Sequence, residues 1–493
     1  MGICQFMIWN RNSRAIVVLV SASVLAACTL MAPAQPSPSP APERPTRVVD
    51  APTQSVPIQT PSQQPTAVSV LNRTARPQIG LNFIRFYVDA SRRGAVDTTT
   101  PYLQPGWIFA DFRNLGIHAF RQSPLADLFW DVVEPQDGQW HFSEADSVLT
   151  NPEFEPIVTL FAMQYASATP PWERDHTRFQ KTLGPEARDY LDQVIARYGP
   201  YVRYWEIGNE MDHWRAADPS EKPPPGAECL PLAPPDGFSP QEQGVFLAQV
   251  AAFIRKRDPD AVIVLPGMSA PVGYPLDVWL EGVLQGGGAD WFDIVNYHCY
   301  GPWQGYCRQR EVLRDFLDRH NLSDKPVWMT ENGSTRDSGL TIRTNYPNSP
   351  ESQAADIFRR LVPAYALGDE LVLWHTYIDS PNLPANNWRG YGIRDDQGDN
   401  QPAYDALHLF VRELIPFRQA EALSCDGRGA NIFRFVREDG QERYVLWGAG
   451  SYTLPSGISQ MTGVVPNGQG GYTWQNVSPG ERIQLTDIPV LVR

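Results

Sequence analysis

The stretch RYWEIGNEMDHW, Arg203 to Trp214, decides how the chain is read. A strand-like run, Tyr204-Trp205-Glu206-Ile207, ends in Gly208-Asn209-Glu210, which puts an amide and a carboxylic acid at the end of a buried strand. Interiors rarely hold a carboxylate without a partner or a task. Glu206 shares the parity of Glu210 but lies deeper in the strand, and is read as a structural partner for an arginine. A task for Glu210 requires a second acid elsewhere in the fold.

On both sides of this strand, short apolar runs alternate with amphipathic segments. The runs predict strands at Ile79–Phe86, His118–Arg121, Pro156–Phe161, Tyr201–Ile207, Ala261–Pro266, Phe292–Tyr297, Pro326–Thr330 and Glu370–His375. Ser239-Pro240-Gln241-Glu242 is a capping box with Pro at the first helical position, ahead of Phe246, Val250 and Phe253 on one face. Pro185–Tyr198 reads as a helix closed by Gly199, and Arg308–His320 and Glu351–Ala366 as two more. Eight such alternations predict an α/β fold, a (β/α)8 barrel over residues 77–417. A doubly wound sheet would need a Gly-rich phosphate loop after its first strand, and the sequence has none there. Past Phe417 the texture changes. Ile432–Val436, the turn Asp439-Gly440 and Tyr444–Trp447 read as a hairpin, and Arg482–Leu485 and Pro489–Val492 add strands. Residues 418–493 are therefore expected to form a small all-β domain.

The N-terminus carries a different message. Arg11 and Arg14 precede the apolar run Ala15–Ala27, too short to span a bilayer comfortably, and Leu25-Ala26-Ala27-Cys28 follows the pattern of a bacterial lipobox. Residues 1–28 are read as a lipoprotein leader with Cys28 as the lipidated residue. Residues 29–76, rich in Pro, Ser, Gln and Thr, cannot bury a core and are expected to be an extended, disordered stalk. Together these predict an extracytoplasmic, lipid-anchored protein. Of the remaining extracytoplasmic cysteines, Cys229, Cys299, Cys307 and Cys425, the first and third fall in predicted loops and form the preferred disulfide pair. No cysteine or histidine spacing matches a zinc site, and neither metal nor cofactor is expected. The net charge of −14 with no basic run argues against a nucleic-acid partner. Fifteen Trp suit a protein that stacks flat faces against a ligand.

In a barrel, chemistry sits at the C-terminal ends of the strands. Glu210 follows the fourth strand, and in KPVWMTENGS (Lys325–Ser334) Glu331 follows the seventh. Two carboxyls facing each other across a barrel mouth are the apparatus for cleaving a glycosidic bond. The chain here resembles the clan A glycoside hydrolases, nearest to families 39 and 5. The resemblance rests on Asn209-Glu210 and Glu331, on FWDVVEPQDGQWHFSEAD (Phe129–Asp146) after the second strand, and on NYHCY with His298 and Tyr300. It also rests on LWHTYID with Trp374, and on YGIRDDQGDNQPAYDAL before the last helix. The similarity covers roughly Ile79–Phe410. A histidine after the third strand, part of the family 5 pattern, is missing from LFAMQYASATPPW.

Carried over, the resemblance implies retaining hydrolysis of a polysaccharide or oligosaccharide, with Glu210 as acid/base and Glu331 as nucleophile; a monomer is expected. Asn209 would bond the sugar 2-hydroxyl, and Tyr300 and Arg121 would hold Glu331 ionised. His298 would touch the acid or the sugar, and Trp374 would floor the site. Trp172 and Trp303 stand evenly between packing and substrate stacking; Trp130, Trp140 and Phe142 are read as packing. Two other readings are a sugar-capturing lipoprotein of two lobes and a barrel that binds glycan without cutting it. The loop Met211–Gly237 is expected to shape the cleft.

Overall fold

The computed structural model describes residues 78–82, 99–121, 128–160, 169–173, 182–212, 238–269, 276–300, 303–337, 348–379, 390–427, 429–467 and 471–493. All of them fall within one compact unit, Ser69–Arg493. The expected leader, Cys28, the stalk, Cys229 and most of the Met211–Gly237 loop lie outside the described residues. No helix among the described residues is long and apolar enough to cross a membrane.

Eight parallel strands form the barrel: β1 Ile79–Asn82, β2 Ala119–Arg121, β3 Glu155–Thr159, β4 Tyr204–Glu206, β5 Val262–Val264, β6 Val295–Cys299, β7 Val327–Asn332 and β8 Asp369–His375. Each falls on a predicted strand. They pair in the order β5-β4-β3-β2-β1-β8-β7-β6. The ends of that ladder are joined by bridges Val264–Ile294 and Met268–Tyr297, where the Leu265 N–H donates to the Ile294 carbonyl at 3.0 Å. The ring therefore closes, with Glu210 and Glu331 at one end of it.

Helices surround the barrel: α1 Pro105–Leu115, α2 Trp130–Val133, α3 Ser143–Leu149, α4 Pro185–Tyr198, α5 Pro240–Arg257, α6 Leu276–Gln285, α7 Tyr306–Arg319, α8 Pro350–Ala366 and α9 Pro402–Leu414. The predicted capping box is formed: Ser239 Oγ accepts from the Glu242 N–H at 3.2 Å, and Glu242 Oε2 accepts from the Ser239 N–H at 2.8 Å. Such a box satisfies two donors that a helix start leaves open. Pro363 lies inside α8 without ending it. The helix runs against the barrel and α9, and this buried packing outweighs the missing backbone bond.

Strand alternation divides the core in two. Ala119, Ile157, Tyr204, Val264, Ile294, Trp328, Leu371 and Leu373 fill the barrel interior. Trp205, Ile207, Tyr297, Met329, Val372 and Trp374 belong to the larger core beneath the helices. Above the interior apolar layer, towards the C-terminal ends, lies a polar one: Asn82, Arg121, Glu206, Asn296 and Thr330, all wholly buried. Buried polar groups persist where they are paired, and within this layer Arg121 pairs with Glu206 while the Asn296 amide donates to Glu206 and Thr330.

After α9 the chain forms an antiparallel sheet of six strands and a separate two-stranded ribbon. The predicted hairpin is there as β-strands Ala430–Arg437 and Glu442–Gly448, with Gly440 at φ 83° in the turn. Both of its faces are covered, each by a different apolar cluster. Phe433, Phe435, Val445 and Trp447 join the core shared with the barrel, while Ile432, Tyr444 and Leu446 pack into a small core with Leu454 and Ile483. Cys425, in the first strand of this sheet, is disulfide-bonded, and the buried Cys299 thiol donates to Gln309 Oε1 at 3.3 Å. The pairing expected between Cys229 and Cys307 rests on side chains outside the described residues.

Candidate active site

Four strand ends build the site. On β4, Gly208 turns the chain at φ 93°, and Glu210 follows at φ 44°, in the left-handed region. For a residue with a Cβ that conformation costs roughly 1–2 kcal/mol. The cost is offset by ties to the end of β5. The Glu210 N–H donates to the Gly267 carbonyl at 2.8 Å, and Asp212 accepts from the Ser269 N–H at 2.9 Å. Gly267 itself could carry no side chain, because a Cβ there would lie 1.9 Å from His298 Nε2.

Glu331 reaches the mouth through an irregularity. Tyr297 pairs with Met329, but the next pair is His298 with Glu331, so Thr330 is an extra residue in β7. A bulge of this kind turns the side chain that follows it. Strict alternation from the inward Trp328 would have pointed Thr330 inward and Glu331 out towards the helices. With the bulge, Thr330 accepts from the Asn296 amide at 2.9 Å while Glu331 joins the site.

Arg121, wholly buried, organises the floor. Its Nε donates to Glu206 Oε2 at 2.5 Å, one terminal nitrogen donates to Asn209 Oδ1 at 2.5 Å, and the other donates to Glu331 Oε1 at 2.6 Å. Glu206 is completed by the Gly267 N–H at 2.9 Å and the Asn296 amide at 3.0 Å. Burial opposes the charge on Arg121, but Glu206 and Glu331 together outweigh it and raise its pKa. The other oxygen of Glu331 accepts from the Tyr300 hydroxyl at 2.6 Å. His298 stands between the two acids, with Nδ1 2.9 Å from Glu210 Oε1 and 3.6 Å from Glu331 Oε2, and Nε2 3.1 Å from Thr330 Oγ1.

Glu210, His298 and Glu331 each offer an atom within 4.8 Å of the others. A divalent cation there would meet the fixed positive charge of Arg121, which already holds Glu331, and a histidine engaged at both nitrogens. The donor set suits proton transfer between two carboxyls.

Burial is the largest influence on Glu331 and works against its charge. His298 and Arg121 outweigh it and hold the pKa below the ordinary carboxylate value. His298 is also pulled downward by burial, but Glu331 and Glu210 raise it overall. Burial and the charge of Glu331 push the Tyr300 hydroxyl well up, so it remains a donor. The arrangement is an ionised Glu331 fixed by two donors, facing a carboxyl that reaches further into solvent, with 16% of its side chain exposed against 10% for Glu331.

No protein-family model matches the sequence, and comparison with curated proteins finds no match. Solved structures do match. A family 39 glycoside hydrolase from the gut symbiont Bacteroides cellulosilyticus WH2 aligns with a TM-score of 0.57 at 18% identity, over 85% of this chain and 81% of that one. A glucosidase from Croceicoccus marinus aligns at 0.53 and 14% identity, over 85% and 96%. An α-L-arabinofuranosidase from Thermotoga maritima aligns at 0.51 and 12% identity, over 85% and 96%. The fold is the one these glycoside hydrolases share.

Within this fold, Arg121, Asn209, Glu210, His298, Tyr300 and Glu331 are brought together at one end of the barrel. Three tryptophans do not join them. Trp374 alternates outward between Leu373 and His375 and is wholly buried in the core beneath the helices, so it cannot floor a binding site. A stacking platform must keep one face open, and the residue of β8 with the inward parity is His375. Trp303 is also buried; it packs edge-on against Trp447 of the C-terminal sheet, with ring centroids 5.9 Å apart. Trp172 is half-buried, donates to the Glu134 carbonyl at 3.2 Å and meets Trp130 edge-on. Phe142 and Trp140 stack on each other as packing residues. The sequence reading missed His375, Asn296 and Thr330. Period-two alternation from Leu371 and Leu373 was the signal that would have found the first.

The burial of His375 is expected to make the fold sensitive to acid. Burial lowers its pKa from 6.5 to about 4. Between those values the unfolded chain binds a proton that the folded chain refuses, so stability falls as pH drops through that window. The loss reaches roughly 3 kcal/mol. Urea midpoints at pH 7 and pH 4.5 should show this slope in the native protein and a shallower one in His375→Phe. Equal slopes would mean that the buried imidazole is not its source.

Proposed function

We propose that the chain is a retaining glycoside hydrolase that cleaves O-glycosidic bonds of an oligosaccharide or polysaccharide by double displacement. The observation that carries this reading is the pair Glu210 and Glu331, with oxygens within 4.8 Å across the mouth of one closed barrel. That closeness favours the retaining separation of roughly 5–5.5 Å over the wider gap, roughly 6.5–9.5 Å, that leaves room for an attacking water. Glu331, kept ionised by Arg121 and Tyr300, is the nucleophile, and Glu210 protonates the leaving oxygen. Asn209, its oxygen held by Arg121, turns its N–H donors to a sugar hydroxyl. A two-lobed sugar-capturing protein would not place β4 and β7 in one ring.

The test is hydrolysis of aryl glycosides followed by NMR of the first anomer released. The panel begins with glucosides and α-L-arabinofuranosides, the sugars named for two of the proteins that share this fold. Retention of configuration is expected; a first product of opposite configuration overturns double displacement, and no cleavage across the panel overturns hydrolysis.

We also propose that the enzyme is held at the outside of the cell envelope through a lipid on Cys28, with residues 29–76 as its tether. Cys28→Ala should then abolish lipid labelling and shift the protein from the membrane to the soluble fraction, without changing turnover. Membrane association that survives the substitution would assign anchoring to the apolar run Ala15–Ala27 instead.

A further inference from the structure

Three rings stand behind the nucleophile. Tyr300, at the end of β6, meets His375 of β8 edge-on, with centroids 5.8 Å apart and planes at 88°. Tyr300 also meets Tyr391 edge-on at 6.0 Å and 80°, and His375 meets Tyr391 at 6.1 Å and 74°. Each ring thus presents an edge or a face to both others, the preferred arrangement of aromatic groups. All three are nearly buried.

The triangle is anchored from outside the site. Gln353 of α8 donates to the Tyr391 carbonyl at 3.1 Å and to the Gly390 carbonyl at 2.9 Å. The Thr376 N–H donates to the same Tyr391 carbonyl at 3.3 Å. Gly333, two residues after Glu331, allows the close approach: a Cβ there would lie 2.1 Å from the His375 carbonyl oxygen and 3.3 Å from the Tyr391 ring. A phenol can swing about two side-chain torsions, so nothing in β6 alone keeps the Tyr300 hydroxyl 2.6 Å from Glu331.

We infer that His375 is a positioning residue whose ring, wedged between Tyr300 and Tyr391, keeps the Tyr300 hydroxyl on Glu331. Burial keeps its imidazole uncharged at neutral pH, so it acts there through shape. The titratable and charged groups facing this corner are Arg121 from β2, Glu210 after β4, His298 and Tyr300 from β6, Glu331 from β7 and Tyr391 after β8. None of them takes over the space of the ring. The inference rests on the proposed role of Glu331, and it extends the site to a residue that acts only through Tyr300.

His375→Ala removes the wedge, and His375→Phe keeps a ring of similar outline without a titrating group. The Glu331 carboxyl can be titrated by NMR of carboxyl-labelled glutamate in the whole protein, its signal assigned by loss in Glu331→Gln. In His375→Ala the Glu331 pKa is expected to rise by about one unit, as when a hydrogen bond to a charged group is lost. On aryl glycosides, kcat should fall roughly tenfold to a hundredfold with KM little changed, and the acidic limb of the pH profile should move up with the titration. His375→Phe should restore both. Tyr391→Leu, which removes the other neighbour of Tyr300, should act in the same direction and serves if His375→Ala does not fold. An unchanged Glu331 titration in His375→Ala or Tyr391→Leu overturns the inference. So does failure of His375→Phe to restore it, because the imidazole would then act by its chemistry. The titration needs no substrate, so a shifted pKa in a protein without glycosidase activity sinks the functional reading and leaves the positioning role standing.

Discussion

Glu331→Ala is expected to lose turnover by roughly 10⁴-fold, the scale on which a covalent nucleophile is missed. The remaining structure explains why no neighbour substitutes. Arg121 and Tyr300, which hold the carboxylate at 2.6 Å on each side, are both donors, and the Arg121 guanidinium is not a nucleophile. His298, 3.6 Å away, is shared between Glu210 and Thr330. Alanine leaves a space the size of a carboxylate beside two donors that now lack an acceptor. A small anion such as azide fits that description and can attack the sugar from the vacated side. One displacement then replaces two, so the glycosyl azide should have inverted configuration. Recovery with retained configuration, or turnover within tenfold of the native enzyme, would place the nucleophile elsewhere.

Glu210→Ala should separate the two half-reactions. With an aryl leaving group of low pKa, departure needs little protonation, so Glu331 is still glycosylated. The second half-reaction needs a base for water, and its loss slows that step by roughly 10²–10⁴-fold. A sugar covalently bound to Glu331 should accumulate and be visible by mass spectrometry. Azide needs no base and should release it as a glycosyl azide of retained configuration. Glycosides with poor leaving groups should fall with the first step instead. The proposed cycle couples the two acids: once Glu331 is esterified its charge is gone, and Glu210 should give up its proton more easily. A sugar found on any other residue, or a variant equally slow on every leaving group, would contradict the division of labour.

Much of this was present in the residue pattern. Eight apolar runs separated by amphipathic helices left a barrel as the simplest way to bury every strand, and each strand formed where its run predicted. The rule that barrel chemistry sits after the strands then picked out Glu210 and Glu331. Glu206 was legible as a structural acid because a carboxylate that deep must be paired, and it is paired with Arg121.

Side-chain direction was not legible to the same degree. Trp374 looked like a platform from its place in the sequence, yet it alternates outward and the adjacent His375 faces the site. Parity along β8 held that information, but only once the inward residues were known. For Glu331 parity alone gives the wrong answer. The extra residue Thr330 in the pairing of β6 with β7 turns Glu331 from the helix side to the mouth, and no local property of Met329-Thr330-Glu331 announces the bulge. A bulge is a relation between two strands distant in the chain, and its energy lies in their shared hydrogen bonds. The same holds for the single guanidinium that joins Glu206, Asn209 and Glu331, which gains its three partners only when the ring closes. Burial pattern and strand order are sums over many residues and survive in one dimension. The aim of a few side chains at a site depends on pairwise contacts between distant segments, and those exist only in the folded barrel.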